Sequence, residues 1–295
     1  MSRSDRTERI ERDEGGTRKW WTLGAVSVAT FMLLLDITVV NTALPSIEED
    51  LGATFTELQW VIDAYALSLA ALVLTAGSLA DRLGRRLVFA SGVAIFTVAS
   101  FLCGISPDPT FLNISRALQG VGGAIMFAVS LALLTQEFPA GRERGTAMGA
   151  YGATIGIAVA IGPLVGGALT DWLGWESIFF LNVPIGIAAI AVTYLRLRET
   201  RDPHATRIDW AGLVTFSGGL FMLVLALLRG NDEGWGSAPI VAMLAGGVAL
   251  LGCFAVAELR APHPMLDLSL LSNRTLNGAS LERNGPRRER SQSQM

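Results

Sequence analysis

Asp36 is the first residue in this chain placed where a charged group is expensive. It lies inside an apolar run over 20–44. A carboxylate at the centre of a membrane helix costs at least ~2.5 kcal/mol on insertion scales, which makes it a functional candidate by default. Two other charges share its situation, Arg116 in a run over 109–136 and Asp63 in a run over 58–80. At 1.5 Å per residue, Asp36 lies about 12 Å, Arg116 about 10 Å and Asp63 about 8 Å from the same side. Opposite charges at one depth can form a static ion pair or face a water-filled pocket, and the spacing leaves both open. For Asp63, a water-facing interfacial position is equally open. Asn113, Arg116, Gln119, Gly120, Gly123 and Phe127 recur at three- and four-residue steps and share one helix face. Polar groups and glycines on one face suit a cavity-lining or close-packed helix, with packing the main task of the glycines. Met32, Trp60, Tyr65, Phe127 and Tyr151 are candidates to line an apolar pocket.

Other chemistries are excluded by scarcity. Lys19 is the single lysine and Trp20 follows it, so no phosphate-cradling G-x-x-x-x-G-K-[ST] loop exists. His204 and His263 sit in polar connectors beside prolines, which removes an intramembrane histidine metal site, and no H-E-x-x-H occurs. Cys103 and Cys253 both lie in apolar runs, where they read as small hydrophobes. Neither an enzyme, a cofactor nor a metal is expected. A net charge of −3 with no basic stripe argues against a nucleic-acid partner.

The elements that hold these residues are eight apolar runs, at about 20–44, 58–80, 87–105, 109–136, 146–170, 178–195, 208–229 and 238–257. Each approaches or exceeds the roughly 20 residues a helix needs to cross a bilayer. The fold class is therefore an all-α polytopic membrane protein, with 51% of its 295 residues hydrophobic and 17% charged. With both termini cytoplasmic, 21 of 23 basic residues fall on the inner side, leaving Arg229 outside and Arg116 within span 4. That asymmetry is what the positive-inside rule requires.

The chain also repeats itself. Residues 77–84 read G-S-L-A-D-R-L-G and residues 167–174 read G-A-L-T-D-W-L-G, with five identities at a spacing of 90. Three spans separate the copies, so they face opposite sides, as in the inverted 3+3 repeats of secondary transporters. Arg82, Arg85 and Arg86 give way to Trp172, Trp175 and Glu176 in the second copy.

Extended to Gly77-Ser-Leu-Ala-Asp81-Arg82-Leu-Gly84-Arg85-Arg86, the first copy resembles the loop-2/3 signature of the major facilitator superfamily. Leu35-Asp36-Ile-Thr-Val-Val-Asn41-Thr-Ala-Leu-Pro45 resembles the span-1 signature of its fourteen-span drug:proton antiporter branch. Arg116-Ala-Leu-Gln119-Gly120-Val-Gly122-Gly123-Ala resembles the family's arginine motif. Gly162-Pro163-Leu-Val-Gly166-Gly167 resembles its antiporter motif, with Ile178-Phe-Phe-Leu-Asn182-Val-Pro184-Ile-Gly186 after it. Ala158 and Thr154 stand where the family often has glycine, and Glu176 and Ser177 where it usually has a basic and an aromatic residue.

The resemblance implies a six-helix bundle over 20–196 plus an extra helix pair over 208–257. A cytoplasmic tail over 1–19, a linker over 197–207 and a cytoplasmic segment over 258–295 complete the domains. It implies efflux of small amphipathic drugs or antibiotics across the plasma membrane by proton antiport. Asp36, Arg116, Asp63, Asn41 and Gln119 would serve protons or substrate, Gly77, Asp81, Arg82, Gly84, Arg85 and Arg86 a cytoplasmic gate. Gly162-Pro163 is expected to kink span 5. The family follows such a pair with a second six-helix half, whereas residues 281–295 are polar. The expectation is a transporter truncated after span 8, inert on its own or associated with another transporter half.

Overall fold

The computed structural model describes the backbone over 3–201 and 210–260, and side chains over 18–201 and 210–259. The expected linker beyond residue 201 and segment beyond 260 lie outside the described residues, as do the side chains over 1–17. Nine helices follow in order among the described residues: α1 (Arg3–Leu51), α2 (Phe55–Leu83), α3 (Arg85–Gly104), α4 (Pro109–Glu137), α5 (Arg142–Leu173), α6 (Glu176–Phe180), α7 (Asn182–Arg196), α8 (Trp210–Glu233) and α9 (Ala238–Arg260). They make eight segments long and apolar enough to cross a membrane, with α6 and α7 forming one segment over Glu176–Arg196. The chain is thus an all-α polytopic membrane protein.

Local chemistry explains where the helices begin and end. Thr54 and Glu57 form a reciprocal capping box at the start of α2. Asp108 caps α4 by accepting the Phe111 N–H at 2.9 Å, with Pro109 at the first helical position. The two repeat copies end alike. Gly84 (φ +112°) closes α2 and Gly174 (φ +86°) closes α5, each donating its N–H to the carbonyl four residues back. α5 runs unbroken over Arg142–Leu173 with Pro163 inside it.

In hydrocarbon, helices gain little by hiding apolar surface from one another, so close approach through small residues dominates packing. α4 lies between α2 and α3, while α1 packs on α5 and also reaches α4 and α7. A Cβ at Gly120 would strike the Tyr65 backbone of α2, and one at Gly122 the backbone of α3 at Phe96. α8 and α9 pair with each other and dock through α8 on α2, where the Thr75 and Ser217 hydroxyls lie 2.7 Å apart. The outward faces remain apolar, as at Leu164, Leu195 and Val214.

Candidate functional site

α1, α3, α4 and α7 each contribute to one buried polar cluster near the middle of the bundle. Arg116 Nη1 donates to Asp36 Oδ2 at 2.6 Å and to Gln119 Oε1 at 2.6 Å. Gln119 Nε2 donates to Asp36 Oδ1 and to Ser100 Oγ, both at 2.8 Å. Asn182 Nδ2 donates to Asp36 Oδ1 at 3.0 Å and to Ser100 Oγ at 3.4 Å. Arg116 Nε reaches the Val61 carbonyl of α2 at 2.9 Å, and its guanidinium stacks on the Tyr65 ring, 4.3 Å from the centroid. Asp36, Ser100, Arg116, Gln119 and Asn182 are all buried to within 3% relative exposure.

The positions follow from helix geometry. Arg116 and Gln119 are one turn apart on α4 and so approach α1 together. Asn182 opens α7, and Leu181 before it keeps helical angles (φ −55°, ψ −36°), so α6 and α7 run on as one span whose inward face carries Asn182. The result is a carboxylate with three donors and a cation with matched acceptors, in a space without exposed surface. Charges so placed are tolerable only when paired and hydrogen-bonded.

Of the expected site residues, Asp36, Arg116 and Gln119 converge and pair directly. Asn41 does not join them; it is exposed and donates to the Ile37 carbonyl of its own helix at 2.9 Å. Asp63 is half-buried on α2, within electrostatic range of Arg229 and Asp232 at the C-terminal end of α8. There Arg229 pairs with Glu233 at 2.6 Å and lies 4.9 Å from the Trp60 ring centroid. Met32, Tyr65 and Tyr151 were expected as pocket-lining residues, yet all three are buried in the helix core. Tyr151 accepts a hydrogen bond from Thr30 at 3.1 Å. Sequence reasoning passed over Ser100, one of three hydroxyl residues in the apolar run over 87–105, and treated Asn182 only as part of a motif.

At the first repeat copy, Asp81 accepts from Arg85 Nε at 3.0 Å and Nη2 at 2.8 Å, and Arg85 Nη1 also donates to Gln136 at 2.6 Å. Arg86 and Leu87 donate their N–H groups to the Glu199 carboxylate at 3.2 and 3.1 Å. Glu199 thereby caps the start of α3 in the notch left by Gly84, where a Cβ would collide with it. Gly77 has only ordinary packing room, and Arg82 is half-buried. In the span-5 motif, Gly162 and Gly166 press against Thr38, Val39 and Thr42 of α1, while Gly167 faces open space and Pro163 is exposed.

Comparison with known proteins decides the family. The model titled Major Facilitator Superfamily matches residues 26–272. The chain belongs to the Major Facilitator Superfamily. Members of this superfamily are transporters, not enzymes, and move small molecules across membranes. Among the curated relatives is the puromycin resistance protein of Streptomyces alboniger, 40% identical over 90% of this chain and 52% of that protein. The tetracenomycin C resistance and export protein of Streptomyces glaucescens is 37% identical over 90% and 49%. The multidrug transporter of Bacillus subtilis is 38% identical over 86% and 47%. The chain spans about half the length of the curated relatives it matches. A crystal structure titled peptide transporter POT in complex with sulfate superposes with a TM-score of 0.59 at 17% identity, over 82% of this chain and 53% of that one. That likeness concerns the superfamily fold alone.

Proposed function

We propose that this chain forms the coupling half of a proton-driven exporter of small amphipathic drugs or antibiotics. The observation that carries the reading is the closed Asp36–Arg116–Gln119–Asn182 network, a carboxylate paired to a cation deep in a membrane bundle. Such a carboxylate can be released from its arginine by a proton or by cargo, and competition between the two couples their movements. The names of the relatives, which include antibiotic resistance and export, support the substrate class. The proposed setting is the plasma membrane with both termini cytoplasmic, supported by 21 of 23 basic residues on that side. Asp81, Arg85 and Glu199 form the proposed cytoplasmic gate. Residues 20–196 act as the six-helix bundle and 208–257 as an added pair docked on α2.

The test joins this chain to the remaining half of the puromycin resistance relative and measures proton-gradient-driven uptake of an amphipathic dye into everted vesicles. Asp36→Asn is expected to reduce uptake to the rate seen without a gradient; gradient-driven uptake at the parent rate would overturn the role of Asp36. Complete burial of the pair favours a second reading, a packing clamp without a coupling role. Under that reading Asp36→Asn lowers the melting temperature but leaves coupled uptake unchanged.

A further inference from the structure

A coupling carboxylate that gives up its charge leaves its partner behind. Once Asp36 is neutral, Arg116 is a full cation with 1% exposure, and an unpaired buried charge is among the costliest arrangements a protein can hold. The surroundings of Arg116 include groups that remain when the carboxylate is silent. The Val61 carbonyl accepts from Nε at 2.9 Å and Gln119 Oε1 from Nη1 at 2.6 Å. Two aromatic faces complete the set, Tyr65 with its centroid 4.3 Å from the guanidinium carbon and Phe179 at 5.8 Å. Both rings come from outside α4, one from α2 and the other from α6. Cation–π attraction is strongest where water is absent, and Tyr65, Phe179 and Arg116 are all within 2% of full burial.

The Tyr65 hydroxyl has a separate meaning. It is buried, has no hydrogen-bond partner among the described residues, and points to where Gly123 leaves room, since a Cβ there would come within 3.1 Å of it. A tyrosine held for its hydroxyl would bond through it. This one presents its ring to the guanidinium instead.

We propose that Tyr65, seconded by Phe179, is the positioning residue that holds Arg116 in place whenever Asp36 loses its charge. The inference rests on the reading of Asp36 as the group that changes charge, but it concerns the neutral state itself. That state can be made permanent with Asp36→Asn.

The experiment measures thermal unfolding of the purified full chain with Tyr65→Leu in three backgrounds: the parent, Asp36→Asn, and Asp36→Asn with Arg116→Met. Tyr65→Leu is expected to lower the midpoint about twice as far in Asp36→Asn as in the parent, because only there does the cation depend on the ring. The loss returns to its parent size once Arg116→Met removes the cation. Tyr65→Phe, which keeps the face and drops the hydroxyl, is expected to match Tyr65 in all three. Failure of Asp36→Asn/Tyr65→Leu to fold while the Arg116→Met version folds is the same result in extreme form. Equal losses in all three backgrounds, including failure to fold in all three, would overturn the proposal and leave the ring as packing. Coupled uptake surviving Asp36→Asn in the vesicle assay would refute the coupling reading without altering this comparison.

Discussion

Asp36 accepts three hydrogen bonds from Arg116, Gln119 and Asn182, and each donor comes from a side chain that is itself fixed by a second contact. The ion pair alone would be a poor source of stability, because stripping water from two ions offsets much of their attraction. The amides make the difference, since they satisfy the carboxylate oxygen that the arginine does not reach. Asn182→Ala should therefore destabilise the protein by about 1.5–3 kcal/mol, the range for a hydrogen bond to a charged group. Thermal unfolding in detergent checks this, and a midpoint equal to the parent's would show that Gln119 alone satisfies Asp36. That Asp36 and Arg116 lie at one depth was legible in the sequence, which left a direct pair and a water-filled pocket both open; the structure brings them into contact. Asn182 was not legible there, because its inward direction depends on which face of the α6–α7 span packs against α1 and α3, and no residue pattern announces that choice.

At the scale of elements, glycines decide which helices touch. Gly166 lies so close to α1 that a Cβ would come within 2.9 Å of Val39 Cα, against backbone that has no rotamer to yield. Gly152 on the same helix has nothing near it. Gly166→Ala should cost about 1–3 kcal/mol through overpacking. Gly152→Ala should be neutral or gain up to about 1 kcal/mol from helix propensity. Paired unfolding curves test the difference, and equal effects would refute the packing assignment. Both glycines sit in one helical run, and the motif that marks Gly166 does not say what it touches; the approach of α1 does. The helix ends show the same limit. Apolar runs end α1 at residue 44, but the helix continues through Pro45 and the acidic residues to Leu51. Gly52, at φ +61°, follows the end of that helix. Hydropathy reports the lipid, whereas helix length follows backbone hydrogen bonding, which continues into water.

For the molecule as a whole, alternating access requires two bundles rocking about a site between them. α1 to α7 supply one bundle, and α8–α9 pack on its α2 flank. The 295-residue chain reconstituted as a monomer is therefore expected to show no gradient-driven uptake. The same vesicle assay checks this, and coupled uptake by the monomer would show that one bundle suffices. Ion pairs between distant segments belong to the whole molecule too. Arg18 pairs with Glu137, Lys19 with Glu143 and Arg86 with Glu199, ties between segments far apart in the chain.

By itself the sequence determined the number of spans and that Asp36 and Arg116 lie at one depth. These depend on long-range averages and on the high cost of unpaired charge in lipid, which admits few solutions. Tertiary structure alone decided that Ser100 and Asn182 complete the network, that Tyr65 and Phe179 flank the arginine, and that Glu199 caps α3. Those contacts join different helices or loops, between residues 19 to 146 positions apart. Their geometry is set by how closely the helices approach, and no local pattern encodes that.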